Sequence, residues 1–444
     1  MLGAVSTLHQ EASLLDKIRT KEAVVGVIGL GYVGLPFAVE AAKAGFPVIG
    51  VDQNQDRCDQ VNGARNYIRD VDDTELKELV EGGKLVATHD FSRVPEMDVI
   101  VIAVPTPLTK NLTPDLTYVL GVTDELSRHL RAGQLVSLES TTYPGTTEGE
   151  MLPILERSGL KVEEDFYLVH SPERVDPGNI KYTTKNTHKV LGPVGPRSLE
   201  VAKAFYETTL DHIVVVSSAS AAELVKVWEN TFRAYNIAAV NELAMICDQL
   251  RLNVWEVVDA ANSKPFGIMP FYPGPGVGGH CIPLDPHYLE HKAKELGITT
   301  EFIALAGKVN RNMPHFVVDK AARLLSDRAA KAVNGAKVLI LGVAYKGDID
   351  DDRESPALEV FRLFHERSAV LQYHDPFIPK TMIGDTLFES VELTDELFQS
   401  MDLVVITTNH STVDYQGLIG QARLVLDTRG HTRTLGSFDN VVLL

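Results

Sequence analysis

Short apolar runs alternate with helical patterns through the first half of the chain. After a short helical lead-in over residues 1–20, a helical pattern closed by Gly45 separates the first two runs. The apolar runs that predict strands are 23–28, 47–51, 98–104, 135–139 and 166–169. Continuous apolar strands separated by helices are typical of a parallel sheet that is covered on both faces. The pattern therefore predicts an α/β fold here.

The pattern changes near Ser217. Ser220 and Glu223 have the spacing of a capping box, and a helical run without Pro or Gly continues to about Leu250. Residues 288–334 are helical again, and a second series of apolar runs follows at 337–342, 370–374, 402–406 and 424–427. We therefore expect two Rossmann-like parallel-sheet domains joined by a middle domain built on a long helix.

The first strand runs into a glycine pattern that has a specific chemical use. Gly29, Gly31 and Gly34 form G-x-G-x-x-G between strand and helix, and Asp52 ends the next strand, 21 residues after Gly31. Such glycines make a tight turn that lets a helix N-terminus face a pyrophosphate, and the acid binds the adenosine ribose. The acid would repel a 2′-phosphate, so the pattern predicts NAD rather than NADP.

Composition narrows the possible partners and the compartment. The chain has 444 residues and a net charge of −18, which argues against nucleic acid or an anionic membrane as the main partner. Its three cysteines are few and widely spaced, so neither a disulfide framework nor a zinc site is expected. Without a long apolar run or a signal-peptide pattern, a cytoplasmic protein is expected.

Residues 274–286 form a loop rich in glycine and proline around Cys281, with Asp285 four residues later. A thiol on a rigid, glycine-lined loop is a candidate nucleophile. Most cysteines are small buried hydrophobic residues, and the loop alone leaves this structural alternative open.

Seven motifs, in order along nearly the whole chain, resemble those of the nucleotide-sugar 6-dehydrogenases, the family of UDP-glucose and UDP-N-acetylhexosamine dehydrogenases. The matching segments are GLGYVGLP (29–36), AVPTP (103–107), STTYPGTT (140–147), HSPERVDPGN (170–179), ELVKVWENTFRAYNIAAVNELA (223–244), PFYPGPGVGGHCIPLDP (270–286) and VAYKGDIDDDRESPA (343–357). The resemblance implies an NAD-binding domain over 1–216, a helical central and dimerisation domain over 217–330, and a UDP-binding domain over 331–444.

The implied reaction converts a primary alcohol at sugar C6 into a carboxylate for polysaccharide precursor synthesis, by two hydride transfers to NAD. Cys281 would add to the intermediate aldehyde as a thiohemiacetal and then carry a thioester that water cleaves. The implied catalytic residues are Cys281, Lys226, Asn230, Glu173, Asp285 and Thr142.

The resemblance also implies two sets of binding residues. For NAD they are Gly29, Gly31, Tyr32, Val33, Gly34, Asp52, Arg57, Pro105, Thr106, Thr142 and Arg353. For the UDP-sugar they are Glu173, Arg174, Lys226, Asn230, Tyr272, Gly274, Gly276, Gly278, Tyr345, Lys346 and Arg429. A homodimer or a higher homo-oligomer is expected. At the place where the family often has an arginine that reaches in from a neighbouring subunit, this chain has Lys264 and Pro265.

Within the family, Leu284 replaces the lysine that usually precedes the aspartate in UDP-glucose dehydrogenases. The motif forms most resemble enzymes for UDP-N-acetylhexosamines, and UDP-N-acetylglucosamine is the expected substrate. UDP-glucose and UDP-N-acetylmannosamine remain alternatives. Two alternatives from other classes are a single-step hydroxyacid dehydrogenase, which needs no cysteine, and a non-catalytic NAD-binding protein.

Overall fold

The computed structural model describes residues 14–109, 111–176, 179, 181–279, 281–436 and 438–444. The chain divides into two compact units. The first contains Met1–Glu229 and His287–Ile298, and the second contains Asn230–Pro286 and Thr299–Leu444. Of the helical lead-in expected over residues 1–20, residues 14–20 are helical and the remainder lies outside the described residues.

The first unit is built on one eight-stranded sheet. Its strands are β1 Val25–Ile28, β2 Val48–Val51, β3 Leu85–Thr88, β4 Val99–Ile102, β5 Leu135–Leu138, β6 Tyr167–His170, β7 Lys189–Pro193 and β8 Ile213–Val215. The strand order is β3-β2-β1-β4-β5-β6-β7-β8, and only the β6–β7 pair is antiparallel. The first six strands follow the doubly wound dinucleotide-binding order.

Helices and shorter turns accompany this sheet. The α-helices are Gly34–Lys43, Gln55–Asn62, Asp73–Glu81, Thr117–His129, Leu152–Leu155 and Pro196–Thr209, with a π-turn at Thr147–Met151 and 3₁₀ turns at Phe91–Glu96 and Glu156–Ser158. Val99 and Val101 of β4 pack into one buried cluster, whereas Ile100 and Ile102 pack into another. Both faces of the sheet are therefore covered at its centre, which explains why β1, β2 and β4 are apolar and fully buried.

The long predicted helix is present as Ala219–Leu250 and continues from the first unit into the second. The predicted capping box is wrong, because Ser220 already lies inside the helix and its hydroxyl donates to Glu148. Ser218 instead accepts from the backbone N–H of Ala221. Glu223 also bonds to residues far from it in the sequence instead of to the helix N-terminus. A rule based on local spacing therefore cannot identify the cap.

The second unit contains a smaller sheet and further helices. Its five parallel strands are β9 Lys337–Leu341, β10 Val370–His374, β13 Leu403–Ile406, β14 Val425–Asp427 and β15 Val441–Leu443, in the order β10-β9-β13-β14-β15. A hairpin of β11 Lys380–Ile383 and β12 Thr386–Glu389 and the strands β3, β7, β8 and β15 were not predicted. The remaining helices are Val254–Asn262, Glu301–Ala329, Pro356–Glu366, Asp395–Ser400 and Tyr415–Ile419, with a 3₁₀ turn at Thr432–Thr434.

The helical segment predicted over 288–334 is two helices, Asp285–Glu295 and Glu301–Ala329. The break contains Gly297 with φ +73°, a left-handed conformation that ends helices. Among the described residues, no helix combines the length and the apolar character that a bilayer span requires.

Candidate active site

The glycine turn after β1 has room for a ligand at one position only. Gly29 has φ +95°, and a Cβ there would lie 2.3 Å from the carbonyl oxygen of Ala103. A Cβ on Gly34 would lie 1.7 Å from the carbonyl oxygen of Gly29, so this glycine allows the helix to pack against the strand. No atom lies within 4 Å of a Cβ placed on Gly31. The open side of Gly31 fits the close approach of a pyrophosphate.

The helix Gly34–Lys43 begins at this turn. Its N-cap residue Val33 makes no side-chain capping bond, so the first N–H groups of the helix are not satisfied by a cap. Tyr32 beside it is half exposed. An uncapped helix N-terminus is suited to an anion, as the pyrophosphate of a dinucleotide requires.

Asp52 joins the end of β2 to the glycine turn. One carboxylate oxygen accepts from the N–H of Leu30 at 2.9 Å and the other from the N–H of Asn54 at 2.9 Å. Arg57 pairs with the same carboxylate at 3.4 Å. The carboxylate is thus held beside the glycine turn, where dinucleotide-binding folds of this type place the ribose hydroxyls.

The turns after β4 and β5 complete this edge of the sheet. The hydroxyl of Ser140 accepts from the N–H of Val104 and donates to the carbonyl of the same residue, which fixes the segment that leads into Pro105 and Thr106. The hydroxyl of Tyr288 donates to the carbonyl of Thr106. Pro105 and Thr106, both predicted to contact the cofactor, therefore lie on a segment that is fixed by Ser140 and by Tyr288.

Thr142 is buried and donates to Glu223 on the long helix at 3.3 Å. Glu223 also accepts from the N–H of Gly145 at 2.6 Å and from the N–H and hydroxyl of Thr147 at 2.8 and 2.7 Å. Burial raises the pKa of Glu223 to about 7, although these hydrogen bonds favour its charged form. Sequence reasoning assigned Glu223 to a cap and missed that it anchors the loop carrying Thr142.

Glu173 follows β6, with a carboxylate that is 13% exposed. One oxygen accepts from the N–H groups of Arg174 and Val175 at 2.6 and 2.8 Å, and the other pairs with Lys189 at 3.2 Å. Burial opposes ionisation of Glu173, but Lys189 and the two N–H groups outweigh it, so its pKa lies below the usual value. The side chain of Arg174 pairs with Glu229 and donates to the carbonyl of His188.

Lys226 lies one helical turn before Asn230 on the long helix. It is 9% exposed, and among the described residues no carboxylate pairs with it. A buried ammonium is stable only with a partner, so this group is suited to an oxygen of a bound substrate.

In the second unit, the turn of Cys281 brings three predicted catalytic residues together. The carbonyl of Cys281 accepts from the N–H of Asp285 at 2.8 Å, and the side-chain amide of Asn230 donates to the Asp285 carboxylate at 2.6 Å. Cys281 is partly exposed, whereas Cys58 and Cys247 are buried. The adjacent His280, considered as a neighbour that shapes the loop, lies outside the described residues.

The glycines of the cysteine loop pack against the protein itself. A Cβ on Gly276, which has φ +136°, would lie 2.9 Å from Pro356, and one on Gly278 would lie 2.7 Å from Tyr345. The N–H of Gly274 donates to Asn241 at 3.0 Å. These glycines were expected to surround a bound substrate. The contacts that the structure gives them are with other parts of the protein, and these contacts hold the loop in place.

Arg429 lies at the carboxyl edge of the smaller sheet. Its Nε donates to the carbonyl of Thr407 at 2.7 Å, and its Nη2 lies 3.5 Å from the carbonyl of Tyr345, whose neighbour is Lys346. Burial lowers the pKa of Arg429 to about 10. Within the described part of the chain no carboxylate forms a salt bridge with this guanidinium, so its charge is suited to a phosphate.

Two further predicted binding residues already have partners in the second unit. The hydroxyl of Tyr272 donates to Asp259 at 2.7 Å, and the guanidinium of Arg433 lies 5.3 Å from the centre of its ring. Arg353 is about half exposed and pairs with Asp351 at 2.6 Å. The ligand contacts predicted for Tyr272 and Arg353 stay predictions.

Sequence reasoning also missed Lys189 and Glu139, which pair at 2.8 Å inside the first unit. Glu139 ends an apolar strand run, and Lys189 begins another, so a charge at the border of each run is the only signal. Their burial follows from strand pairing that the pattern of the sequence does not reveal.

The strand order, the glycine turn and the acid after β2 define an α/β protein that binds a dinucleotide. Residues 23–210 match the NAD binding domain of the UDP-glucose/GDP-mannose dehydrogenase family, residues 220–312 match its central domain, and residues 339–434 match its UDP binding domain. The chain belongs to this family.

Individual proteins similar to this chain are also nucleotide-sugar dehydrogenases by name, as expected for this family. The chain is 36% identical over 422 residues to an NDP-N-acetyl-D-galactosaminuronic acid dehydrogenase of Ralstonia solanacearum, which covers 91% of this chain and 95% of that protein. It is 37% identical over 360 residues to a UDP-N-acetyl-D-glucosamine 6-dehydrogenase of Pseudomonas aeruginosa, with 81% and 84% covered. The structure of a UDP-D-ManNAc dehydrogenase from Pyrococcus horikoshii superposes with a TM-score of 0.83 at 33% identity, with 91% and 95% covered.

The predicted fold class, family and cofactor are therefore confirmed. The protein is an NAD-dependent nucleotide-sugar 6-dehydrogenase whose substrate is a UDP-sugar. The single-step hydroxyacid dehydrogenase and the non-catalytic NAD-binding protein give way to this activity.

Proposed function

We propose that the protein oxidises C6 of a UDP-N-acetylhexosamine to the carboxylate, with UDP-N-acetylglucosamine as the preferred substrate and Cys281 as the covalent nucleophile. The arrangement around Cys281 carries this proposal. Its thiol is partly exposed, its carbonyl fixes the N–H of Asp285, and the Asp285 carboxylate accepts from Asn230. A thiol and a carboxylate on one turn, with an amide from the long helix bound to the carboxylate, are groups that acyl chemistry requires.

Bound NAD supplies the hydride acceptor, and two are consumed because the oxidation of an alcohol to a carboxylate removes four electrons. The Cys281 thiolate adds to the aldehyde carbon, so a C–S bond forms and the carbonyl oxygen takes a proton. The remaining C6 hydride is then lost together with the proton of the thiohemiacetal hydroxyl, which Glu173 accepts in this proposal, and a thioester remains. Water then attacks the carbonyl, the C–S bond breaks, and the thiolate leaves because it is a good leaving group.

In this proposal Asp285 orients the attacking water and accepts its proton. One N–H of the Asn230 amide is used by Asp285 at 2.6 Å. Its second N–H is left to donate to the C6 oxygen, since an amide nitrogen carries two donors. Each donor aimed at a developing oxyanion is worth roughly 3 kcal/mol of barrier.

Lys226, Glu173 and Thr142 have supporting roles in the proposal. Lys226 is buried without a carboxylate partner among the described residues, which supports contact between its ammonium and the C6 oxygen. Glu173 is held ionised, which supports its role as a base toward the hydroxyl or the water. Thr142 helps to orient the water from a loop that Glu223 anchors.

The UDP moiety is assigned to the carboxyl edge of the smaller sheet. Arg429 is suited to the diphosphate because its guanidinium lacks a carboxylate partner within the described residues, with Lys346 near by in the chain. A guanidinium binds a phosphate with two parallel hydrogen bonds, which reconciles an anionic substrate with an acidic protein.

The preference for an acetamido sugar is supported by the motif forms around Cys281, where Leu284 precedes Asp285. It is also supported by the printed names of three similar proteins, which concern N-acetylated galactosamine, glucosamine and mannosamine derivatives. We further propose the three-domain division at 216 and 330, a cytoplasmic location and a homodimer.

A substrate screen tests the proposal. Purified protein is incubated with NAD and each of UDP-GlcNAc, UDP-GalNAc, UDP-ManNAc and UDP-glucose, and NADH is counted per sugar consumed. We expect about two NADH per sugar, the number that two hydride transfers require, and the fastest turnover with UDP-GlcNAc. Fastest turnover with UDP-glucose would contradict the acetamido preference, and one NADH per sugar with free aldehyde would contradict the covalent step.

A further inference from the structure

Lys189 lies inside the first unit, at the start of β7. Its ammonium is 2.8 Å from an oxygen of Glu139, which follows β5, and 3.2 Å from an oxygen of Glu173, which follows β6. The side chains of Lys189 and Glu139 are 4% and 0% exposed, whereas that of Glu173 is 13% exposed. One buried cation therefore serves two carboxylates, and only one of these reaches the surface of the unit.

Glu139 is fixed from its other side. Its second oxygen accepts from the hydroxyl of Tyr206 at 2.7 Å, and that hydroxyl lies 2.7 Å from the hydroxyl of Ser137. The ring of Phe37 lies under the Lys189 ammonium at 5.9 Å. The ammonium is enclosed by these groups, so its distance to Glu173 is set by the fold.

No other cation among the described residues pairs with Glu173. The guanidinium of Arg174 is turned to Glu229 and to the carbonyl of His188, and only the N–H of Arg174 contacts Glu173. His170, at the end of β6, faces Lys189 as a neutral ring, because burial and then the charge of Lys189 lower its pKa to about 3. Lys189 is therefore the cation that pairs with Glu173, and Glu139 competes with Glu173 for the same ammonium.

We propose that Lys189 is a positioning residue of the reaction. It fixes the orientation of the Glu173 carboxylate and keeps it ionised, and Glu139 is the buried counter-charge of Lys189. This inference rests on the proposed role of Glu173 as a base. With one oxygen held by two backbone N–H groups and the other by Lys189, the Glu173 carboxylate has little freedom to rotate. A base that is fixed before the substrate binds loses no entropy when it acts.

The arrangement has a direct consequence for the dependence on pH. Burial opposes ionisation of Glu173, but Lys189 and the two backbone N–H groups together keep its pKa below the usual value, so the base is ready at neutral and mildly acidic pH. Glu139 differs, because complete burial raises its pKa despite the same cation. On acidification the proton enters at Glu139 first and Glu173 keeps its charge.

The test compares pH profiles of kcat with UDP-GlcNAc, or with the best sugar of the screen, for wild type and four variants. In Lys189→Met, burial acts on Glu173 without the cation. We therefore expect the acid limb of the profile, where kcat falls as the base is protonated, to move to higher pH by at least about 2 units. Turnover near pH 5 should then fall about 10- to 100-fold and recover toward pH 8, as follows for a base that is mostly protonated below its pKa. Lys189→Arg should retain the wild-type profile.

The double variant Lys189→Met/Glu139→Gln separates positioning from folding. It removes the buried cation together with its counter-charge, so thermal stability should recover toward wild type while the acid limb stays shifted. Glu139→Gln alone leaves Lys189 to Glu173, and its acid limb should not move up. If Lys189→Met does not fold, the double variant and Glu139→Gln decide the question.

The outcomes distinguish this inference from the proposed function. If wild type forms no NADH with any of the four sugars, the substrate assignment and the proposed function fail. If wild type turns over but a folded variant without Lys189 keeps the wild-type acid limb, the positioning role is wrong and Lys189 only supports the fold. An upward shift in Glu139→Gln would likewise overturn the inference.

Discussion

Single residues set the chemistry by the partners that they lack as well as by those they have. Lys226 and Arg429 carry positive charge in partly or largely buried positions, and among the described residues neither pairs with a carboxylate. By contrast, Lys189 is committed to two carboxylates of the protein. Since an unpaired buried charge is costly, Lys226 and Arg429 are suited to ligand oxygens, whereas Lys189 helps to hold the site together.

The Cys281 thiol gives the sharpest test at this scale. In Cys281→Ala no covalent adduct can form, so the reaction should stop at the aldehyde. In Cys281→Ser an ester should form and break down very slowly, because an alkoxide leaves poorly. Steady turnover should fall by roughly 10³-fold or more in both variants, measured as NADH release.

Mass spectrometry of Cys281→Ser after incubation with substrate should find added mass on the peptide that contains position 281. Cys247→Ala is the matched control, since that cysteine is buried and has no role in the proposal. Near-normal turnover of Cys281→Ala would show that the thiol is structural.

At the scale of elements, one carboxylate connects the long helix to the loop after β5. Glu223 on Ala219–Leu250 accepts from Thr142, Gly145 and Thr147, so three positions of one loop depend on one side chain. The helix thereby fixes the segment rich in threonine and glycine that leads from β5 into the π-turn at Thr147–Met151.

The raised pKa of Glu223 makes this connection sensitive to pH. Its folded pKa of about 7 is above the usual value near 4.5, so the folded protein binds the extra proton. This contribution to stability is complete below about pH 4.5 and is lost as pH rises through about 7, an effect of roughly 3 kcal/mol.

Glu223→Gln should remove that part of the pH dependence, since an amide does not titrate. It should also cost about 1–3 kcal/mol, because one amide N–H would face the N–H of Gly145. Denaturant unfolding from pH 5 to pH 8 measures both effects, with the more exposed Glu148→Gln as the control. An unchanged pH slope in Glu223→Gln would contradict the raised pKa.

At the scale of the whole molecule, the second unit exposes large apolar side chains on its helices. Leu250, Phe302 and Leu305 are 62%, 74% and 56% exposed. Exposed apolar side chains of this size on packed helices are typical of an interface, which supports the proposed homodimer.

Phe302→Ser should therefore weaken self-association, because burial of a phenylalanine contributes roughly 2 kcal/mol. Sedimentation at a series of protein concentrations measures the dissociation constant, which we expect to rise more than tenfold. Met382→Ser, at a 55% exposed position on the β11–β12 hairpin, is the control. A wild-type monomer at all concentrations, or equal effects of the two variants, would contradict this interface.

The local order of the chain was determined by the sequence itself. Apolar runs covered on both faces, the turn of Gly29, Gly31 and Gly34, and the long helix to Leu250 all follow from periodicity and from backbone conformations open to glycine. These features depend on residues close together in the chain, and for that reason a pattern reveals them.

Only the tertiary structure decided how distant charges are paired. Glu223 meets a loop about eighty residues away instead of capping its helix, and Lys189 joins Glu139 and Glu173 from three strand ends. Gly276 and Gly278 in the loop of Cys281 allow close packing against Pro356 and Tyr345, which a Cβ at either position would prevent. Hydrogen bonds and ion pairs act over a few ångströms, so residues far apart in sequence acquire partners only when folding brings them together.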